Sequence, residues 1–349
     1  MASAKNDSKY YMGVDVGGTK ILAALAKPSG KIVASKRCSM PRQGGSAAAI
    51  AAITGLMSDL LDENGGVRRL EAIGLAVPGT VSSDGTITFS PNTSLGGLKL
   101  RPRLEKRFGV PVEMGNDVNV GTMGEKWLGA GSAASSVVGI FVGTGIGGGI
   151  IIDNKLVTGW RGAAAEIGHM QMQLHDGPKC GCKAFGCLEA LASRTAIERE
   201  IRRAIRGGAK SLLTELVGKD LSRIRSGSLK KALEKKDRVV CDAMRSASEV
   251  IAKACINIRH LLDPELIILG GGVIEACGFF MMPIINRVLA ADTLAAGTGL
   301  CKVVPSLLGD DAVVLGAVAM AQQAAGKKPL KKAIKTRKPA SATKAVKKR

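Results

Sequence analysis

The chain has 349 residues, of which 46% are hydrophobic, and a formal net charge of +21. Its length exceeds what one minimal core requires, so we expect a globular protein built as two lobes or two domains. No stretch approaches the roughly 20 consecutive apolar residues of a bilayer-spanning helix, and residues 1–9 lack the apolar core of a signal peptide. These features predict a cytoplasmic protein with no membrane partner.

The excess positive charge is concentrated at the C terminus. Residues 327–349 contain eleven Lys or Arg and no Asp or Glu. The segment has too few apolar side chains to bury, and it is predicted to be a disordered basic tail. Its charge is suited to salt-dependent contact with nucleic acid or another polyanion, without sequence preference. About half of the net charge therefore says nothing about the folded part.

The first predicted elements form a glycine hairpin. Between Tyr11 and Val33, the apolar segments YMGVDV, ILAALA and KIV read as strands joined by the turns GGTK and KPSG. The same pattern returns at 137–157, where VVGIFV enters GTGIGGG and continues as IIID. Two hairpins of one design indicate an internal duplication in which each copy opens an α/β lobe.

The remaining elements alternate between helices and strands. Apolar spacing predicts a helix after Ser46, helices at about 188–205, within 210–237, at 240–262 and at 313–325, and the strands EAIGLAV, VPVEM and LIILG. The predicted organisation is an N-terminal extension at 1–9, a small lobe at 10–117, a large lobe at 118–311, and a helix at 312–326 that packs back on the small lobe.

The first glycine turn has the residue types that bind phosphate and magnesium. Glycine lets backbone N–H groups approach phosphate oxygens, a hydroxyl adds a donor, and a carboxylate can hold Mg²⁺ directly or through water. An ordinary tight hairpin is the alternative interpretation. The residues concerned are Asp15, Gly17, Gly18, Thr19 and Lys20.

The second glycine turn matches a dinucleotide-binding pattern without its context. Gly143, Gly145 and Gly148 satisfy G-x-G-x-x-G, a pattern that requires a following helix. The β-branched residues 150–152 instead continue as a strand. No G-x-x-x-x-G-K-[ST] segment occurs either, which excludes a P-loop. Phosphate held between two hairpins is the interpretation that remains.

A loop at 169–187 groups one histidine with three of the 8 cysteines. One imidazole and three thiolates make a closed tetrahedral zinc site, which is structural and not catalytic. His175 lies in the same loop and is the alternative histidine ligand; buried cysteines beside an incidental histidine are the other interpretation. The predicted ligands are His169, Cys180, Cys182 and Cys187.

Carboxylates lie near this loop and at a strand end. Glu166 and Glu189 are each within three residues of a predicted ligand, where a metal would fix them as acceptors for a polyhydroxylated substrate. Asn116 and Asp117 follow the strand VPVEM, and ligands gather at the carboxyl ends of strands in α/β lobes. Asp117 is therefore a candidate acceptor of a hydroxyl proton, although the same position also suits a helix N-cap.

These motifs together resemble the ROK family of sugar kinases and sugar-responsive repressors. They are, in chain order, DVGGTK at 15–20, Pro78-Gly79, Asn116-Asp117, GTGIGGG, the ExGH segment at 166–169, CxC at 180–182 with GCLE at 186–189, and LGGGV at 269–273. The resemblance implies a two-lobed, actin-like hexokinase fold of the ribonuclease H-like type. It also implies phosphoryl transfer from ATP to a hexose, with glucose the leading candidate, and a homodimer or homotetramer.

The resemblance also implies roles for individual residues. Asp117 would be the general base that activates the sugar hydroxyl, and zinc would fasten the sugar-binding loop. The sugar would be held by Asn116, Glu166, His169 and Glu189, with Gly79 and Asn92 as weaker candidates. The ATP phosphates and magnesium would meet Asp15, Gly17, Gly18, Thr19, Lys20, Thr144 and Gly145, and the adenosine would pass Gly271 and Gly272.

The sequence departs from the family pattern in places. Ala165 and Lys183 stand where the family usually has glycine, which we expect to alter loop conformation more than chemistry. The Trp often found after the PN segment is missing, which weakens the role of Asn92. The basic tail has no place in the pattern.

Other functions remain as alternatives. Family repressors place a helix-turn-helix before the first hairpin, whereas only 14 residues precede Asp15 here, so we expect no repressor. The remaining alternatives are a kinase for another hexose or an N-acylhexosamine, a glucokinase that uses polyphosphate, and a nucleic-acid-associated protein that acts through its tail.

Overall fold

The computed structural model describes residues 9–66, 69–90, 93–218, 220–222, 224–294 and 301–326. The basic tail predicted at 327–349, nearly all of the extension predicted at 1–9, and Asn92 lie outside the described residues. Within these ranges the chain forms two five-stranded sheets flanked by helices, as the predicted α/β class requires.

The first sheet has the strand order β3-β2-β1-β4-β7. Its β1–β2 hairpin is antiparallel, whereas β4 runs parallel to β1 and β7 parallel to β4. A separate two-stranded sheet, β5-β6, follows β4. The strands of these sheets are β1 (Tyr10–Val16), β2 (Lys20–Ala26), β3 (Ile32–Ser39), β4 (Leu70–Val77), β5 (Thr80–Val81), β6 (Ile87–Phe89) and β7 (Val112–Asn116).

The second sheet repeats this order as β10-β9-β8-β11-β12. Here too a glycine hairpin, β8–β9, is antiparallel, and two parallel strands extend the sheet from its first strand. The duplication predicted from the two hairpins is therefore a repeat of whole-sheet topology. The strands are β8 (Val137–Val142), β9 (Ile146–Ile152), β10 (Lys155–Leu156), β11 (Leu266–Gly270) and β12 (Lys302–Pro305).

Ten α-helices occur in the part of the chain that the structure describes. The sequence patterns above do not predict α2, α9 or β12. The helices are α1 (Gly45–Asp62), α2 (Leu100–Phe108), α3 (Asp117–Leu128), α4 (Leu188–Ala192), α5 (Arg194–Arg206), α6 (Leu213–Val217), α7 (Ser226–Glu234), α8 (Arg238–Leu262), α9 (Gly272–Ala290) and α10 (Ala312–Ala324).

The single helix predicted at about 188–205 is wrong, because the structure divides it into α4 and α5. Ser193 interrupts it with an extended backbone (ψ 165°). Its hydroxyl accepts a hydrogen bond from the N–H of Ala196 at 3.2 Å and so caps the second helix. After the break, α5 starts beside the second glycine turn, where the N–H of Arg194 donates to the carbonyl of Gly143 at 2.9 Å.

Close backbone packing holds α3, whose N terminus carries Asp117, against α10. A β-carbon at Gly316 would stand 1.7 Å from the carbonyl oxygen of Val120, and one at Gly124 would stand 2.1 Å from that of Ala312. Only glycine permits so close an approach. The helix α10 also packs on β1 and β4 of the first sheet. The lobe boundaries themselves stay a prediction.

One helix of the described residues, α9, is long and apolar enough by composition to span a bilayer, although Glu275, Asn286 and Arg287 interrupt its apolar residues. On α9, the side chains of Val273, Met281 and Ile285 are buried in the core that the second sheet forms with its helices. α9 also packs along α8. One face of α9 therefore contributes to this core.

Candidate active site

A cavity of about 410 Å³ lies where strands of both sheets end. Asn116 is the last residue of β7, and Pro78, Gly143 and Gly271 directly follow β4, β8 and β11. All four of these residues line the cavity. The carboxyl ends of parallel strands are the usual ligand-binding edge of an α/β fold. The cavity also brings together six residues predicted for the sugar, namely Gly79, Asn116, Asp117, Glu166, His169 and Glu189.

Asn116, and not Asp117, is the N-cap of α3. The Asn116 side-chain oxygen accepts from the N–H groups of Val118 at 2.9 Å and Asn119 at 3.1 Å. Its amide nitrogen donates to the carbonyl of Gly79 at 3.1 Å, which ties the Pro-Gly turn to the helix. The sequence left open that Asp117 caps the helix; in the structure Asn116 is the cap and Asp117 is the first helical residue.

The carboxylate of Asp117 is buried and has a raised pKa. Burial raises its pKa from 3.8 to about 6, and the negative charges of Asp15 and Glu166 act in the same direction. The N–H of Val118, which donates to the Asp117 carboxylate at 2.9 Å, opposes the shift. A carboxylate with a pKa near 6 is ionised at neutral pH and accepts protons more readily than an ordinary aspartate.

The first glycine turn projects its polar groups to solvent. The N–H of Gly17 donates to the carbonyl of Lys20 at 2.9 Å, closing the turn, and Gly18, Thr19 and Lys20 are exposed. Burial raises the pKa of Asp15 to about 6, the positive charge of Lys20 opposes that rise, and the negative charge of Asp310 adds to it. A divalent cation here would favour the ionised form.

The residues predicted for the nucleotide do not all line the cavity. Gly145 and Gly271 do, whereas the first glycine turn, Thr144 and Gly272 do not. The cavity therefore contains the six predicted sugar residues together with the edge of the predicted nucleotide region.

Glu189 connects the second glycine turn to the cysteine-rich loop. One carboxylate oxygen accepts from the N–H of Ile146 at 3.0 Å. The other lies 3.7 Å from the sulfur of Cys180. The cavity wall, the turn and the loop are thus joined through one side chain.

The predicted ligand set converges in space. The ligand atoms of His169, Cys180, Cys182 and Cys187 all lie within 4.8 Å of one another. Two of these separations, His169 Nδ1 to Cys180 Sγ and Cys182 Sγ to Cys187 Sγ, are both 3.7 Å. Neighbouring ligands of a tetrahedral zinc ion stand about 3.5–3.8 Å apart. The four side chains fit a zinc ion, and the clustered histidine is His169 and not His175.

Comparisons with known proteins identify the family of the chain. The model of the ROK family matches residues 11–324. The chain belongs to the ROK family. The glucokinase of Thermotoga maritima is 32% identical over 317 residues, which cover 90% of this chain and 98% of that protein. The kanosamine kinase of Amycolatopsis mediterranei is 31% identical, over 89% of this chain and 96% of that protein.

A solved structure extends the similarity to the fold. The crystal structure of a ROK family glucokinase from Streptomyces griseus, in complex with glucose and AMPPNP, has a TM-score of 0.77 and 31% identity, and covers 90% of this chain and 99% of that chain. The predicted family, the two-lobed α/β fold and the enzyme class, a hexose kinase that uses ATP, are thereby confirmed.

Both departures from the family's glycines occur where the backbone favours glycine. Ala165 has φ 67° and Lys183 has φ 76°, both in the left-handed region. At these two positions the chain has a glycine-type backbone and accepts the strain of a β-carbon. An altered loop conformation relative to the family stays a prediction.

Sequence reasoning did not single out several residues at the site. Asn119, Thr80 and Phe89 line the cavity, and Arg194 donates to the hydroxyl of Thr144 at 2.7 Å. Asn119 follows the Asn116 cap by three residues, a spacing that would have placed it at the same helix end. Nothing near Arg194 in the sequence indicates its partner 50 residues away.

Proposed function

We propose that this ROK kinase phosphorylates glucose at its 6-hydroxyl group, with Asp117 as the general base. The observation that carries the proposal is the position of Asp117, a carboxylate with a raised pKa that lines a cavity together with five other residues predicted to contact the sugar. The glucokinases among the relatives support glucose as the substrate.

The hydroxyl oxygen of the sugar would attack the γ-phosphorus of ATP, the bond from that phosphorus to the bridging β-phosphate oxygen would break, and ADP would leave, while Asp117 accepts the hydroxyl proton. In this arrangement Asn116, Glu166, His169 and Glu189 hold the other hydroxyl groups and so orient the reacting oxygen. Glu166 and His169 are exposed, so they can meet a sugar entering from solvent. Closure of the two lobes would exclude the water that competes for the phosphoryl group.

The glycine turns would bind the triphosphate. Exposed backbone and hydroxyl donors at Thr19 and Thr144 suit phosphate oxygens, and Gly271 and Gly272 would pass near the adenosine. Asp15 is the residue that would hold Mg²⁺, which shields the charge of the phosphates when bound with ATP.

A structural zinc ion would fasten the sugar side of the cavity. His169, Cys180, Cys182 and Cys187 would fill all four positions of the ion, so it would leave no open position for substrate. An imidazole that binds zinc through Nδ1 keeps its Nε2–H for a sugar hydroxyl. Zinc would thus act through the orientation of His169 and of the neighbouring Glu189.

The second candidate substrate is an amino or acylamino hexose, because one relative of nearly equal identity is a kanosamine kinase. A polyphosphate donor, a polyanion bound by the tail, the homodimer or homotetramer, and the cytoplasmic location stay predictions from the sequence.

The test is a coupled ADP-release assay with ATP and magnesium across a panel of hexoses, including glucose, mannose, fructose, kanosamine and N-acetylmannosamine. We expect the highest kcat/KM with glucose and its loss in Asp117→Ala. A higher kcat/KM with an amino sugar would replace glucose as the substrate. No turnover on any sugar by folded protein would contradict the kinase itself, and the same panel with polyphosphate as donor then tests that alternative.

A further inference from the structure

The first turn of α5 packs directly on the second glycine turn. The carbonyl of Gly143 accepts from the N–H of Arg194 at 2.9 Å, and the carbonyl of Thr144 accepts from the hydroxyl of Thr195 at 2.8 Å. The guanidinium of Arg194 donates to the hydroxyl oxygen of Thr144 at 2.7 Å. All three contacts occupy acceptors of the turn.

The donors of the turn are left open by these contacts. Within the described ranges, the N–H groups of Thr144 and Gly145 donate to no protein acceptor. A threonine hydroxyl has one proton and can accept through its oxygen. Because Arg194 occupies the oxygen as a donor, the proton of Thr144 must point elsewhere. The turn therefore presents two backbone donors and one hydroxyl donor to an anion.

Arg194 is itself held in place from the far side. Its Nε lies 3.2 Å from the carboxylate of Glu198, one helical turn later, and the Arg194 side chain is only 21% exposed. Glu198 also pairs with Arg202 at 3.0 Å. The contact with Glu198 is an ion pair and not a hydrogen bond, because the buried Nε of Arg194 has no hydrogen-bond partner among the described residues. The guanidinium thus lies between an acidic partner and the Thr144 hydroxyl before any substrate arrives, which lowers the cost of ordering it on binding.

We propose that Arg194 is a positioning residue for the phosphate donor: its hydrogen bond to Thr144 turns the hydroxyl proton of the second glycine turn toward the phosphates of ATP. The inference rests on the proposed function, because it assumes that this turn meets the triphosphate. A hydroxyl donor fixed in advance stabilises the charge that develops on the phosphoryl oxygens without reorganising during the reaction.

The experiment is a double-mutant cycle on steady-state kinetics, with Arg194→Ala, Thr144→Val and the double variant. We expect each single variant to lower kcat/KM for ATP by about tenfold, which corresponds to one hydrogen bond with a charged partner. The KM for the hexose should not change. Because Arg194 acts through Thr144, the double variant should be no worse than Thr144→Val alone. Arg194→Lys should recover part of the loss.

The matched control is Arg202→Ala, which removes the other partner of Glu198 and a hydrogen bond to the carbonyl of Leu221 but touches no part of the turn. It should leave kcat/KM for ATP unchanged. Losses that multiply in the double variant would overturn the proposal and indicate a direct contact of Arg194 with the nucleotide. An equal loss of kcat/KM for ATP in Arg202→Ala, or a raised hexose KM in Arg194→Ala, would also overturn the proposal. Either result would show that Arg194 only stabilises the fold.

ATP binding measured by titration calorimetry separates this inference from the proposed function. If the wild-type chain binds ATP but phosphorylates no hexose, the proposed function fails. The double-mutant cycle of Arg194 and Thr144 can then be measured on the dissociation constant of ATP, and it still tests the role of Arg194. If the wild-type chain binds no ATP, both fail.

Discussion

The backbone N–H of Ile146, which follows the second glycine turn, donates to the carboxylate of Glu189 at 3.0 Å. The other oxygen of Glu189 lies 3.7 Å from the sulfur of Cys180. One side chain that lines the cavity therefore contacts both the second glycine turn and the cysteine-rich loop.

We expect Gly145→Ala to weaken sugar binding by displacing Glu189. A β-carbon at this position would lie 2.2 Å from the carboxylate oxygen that accepts from Ile146. The glutamate can swing away because the clash is with the end of a flexible side chain, so the stability loss should stay near one hydrogen bond, about 1 kcal/mol. The KM for the hexose should rise by about tenfold, as steady-state kinetics would measure.

Gly143→Ala is the matched control in the same turn. Apart from atoms of its chain neighbours, the nearest atom to its β-carbon would be the carbonyl oxygen of Gly145 at 4.0 Å, so Glu189 should stay in place and the hexose KM should not change. An equal rise in both variants would show that the turn, and not Glu189, controls sugar affinity.

Loss of a cysteine ligand should remove the metal and loosen the sugar side of the cavity. We expect Cys182→Ser to lose the zinc that elemental analysis detects in the wild-type chain, to lower the melting temperature, and to raise the hexose KM by about 10- to 100-fold. Cys241→Ser is the control, because Cys241 lies outside the ligand cluster. A wild-type chain free of zinc after purification in zinc-containing medium would contradict the site.

The two histidines of the loop make a second test of that site. His169→Ala should lower the zinc content because its Nδ1 lies among the cysteine sulfurs, 3.7 Å from Cys180. His175→Ala should keep the metal, since no metal-ligand cluster of the described residues includes it. The reverse result, measured on the same preparations, would exchange the two roles.

Asp117→Asn should separate activity from stability. The amide can still accept from the N–H of Val118, as the carboxylate does at 2.9 Å, but it cannot act as a base. We expect kcat to fall by about 10²- to 10⁴-fold. In the wild-type chain, kcat/KM should rise with pH through about 6 as the carboxylate ionises.

The same substitution should stabilise the fold at neutral pH. The pKa of Asp117 is raised from 3.8 to about 6 in the folded state, so above pH 6 the native state contains a charge that the unfolded chain accommodates more easily. Its removal should therefore raise the melting temperature at pH 7.5. The gain should vanish below about pH 4, where the acid is protonated in both states. A gain that is constant with pH would contradict the raised pKa.

Local patterns predicted the parts of the fold that depend on local chemistry. The glycine hairpins, the long helix α8 and the four clustered metal ligands could be read from spacing, because glycine turns, apolar periodicity and closely spaced cysteines act over a few residues. The break at Ser193 was missed, since an uninterrupted helical pattern runs through it. Asn92, a weaker sugar candidate, lies outside the described residues.

Contacts between distant segments could not be predicted in this way. Glu125 is fully buried on α3. Its carboxylate accepts from the hydroxyl of Ser306 at 2.6 Å and from the N–H of Leu308 at 2.8 Å, so it ties the chain before α10 to the helix that presents Asp117. A glutamate in a helix usually indicates an exposed face, and its partners 181 and 183 residues away give no local signal. Arg194 and Thr144 pose the same difficulty.

Restoring glycine at the two left-handed positions should stabilise the chain. Ala165 (φ 67°) and Lys183 (φ 76°) hold a backbone conformation that costs a residue with a β-carbon about 1–2 kcal/mol. Glycine removes that cost but adds entropy to the unfolded chain, so we expect Ala165→Gly and Lys183→Gly each to raise the free energy of unfolding by about 0.5–1 kcal/mol. Denaturant unfolding of the metal-loaded protein measures the change.

Two controls isolate the β-carbon as the cause. Lys183→Ala removes the long side chain but keeps the β-carbon, and it should give no gain. Ala163→Gly changes a nearby alanine that is not left-handed, and it should destabilise the chain because only the entropy of the unfolded state changes. A gain from Lys183→Ala equal to that from Lys183→Gly would assign the effect to the lysine charge. A higher free energy of unfolding in Ala163→Gly would show that glycine stabilises this loop at any position. The left-handed backbone at Ala165 and Lys183 would then not be the cause of the gain.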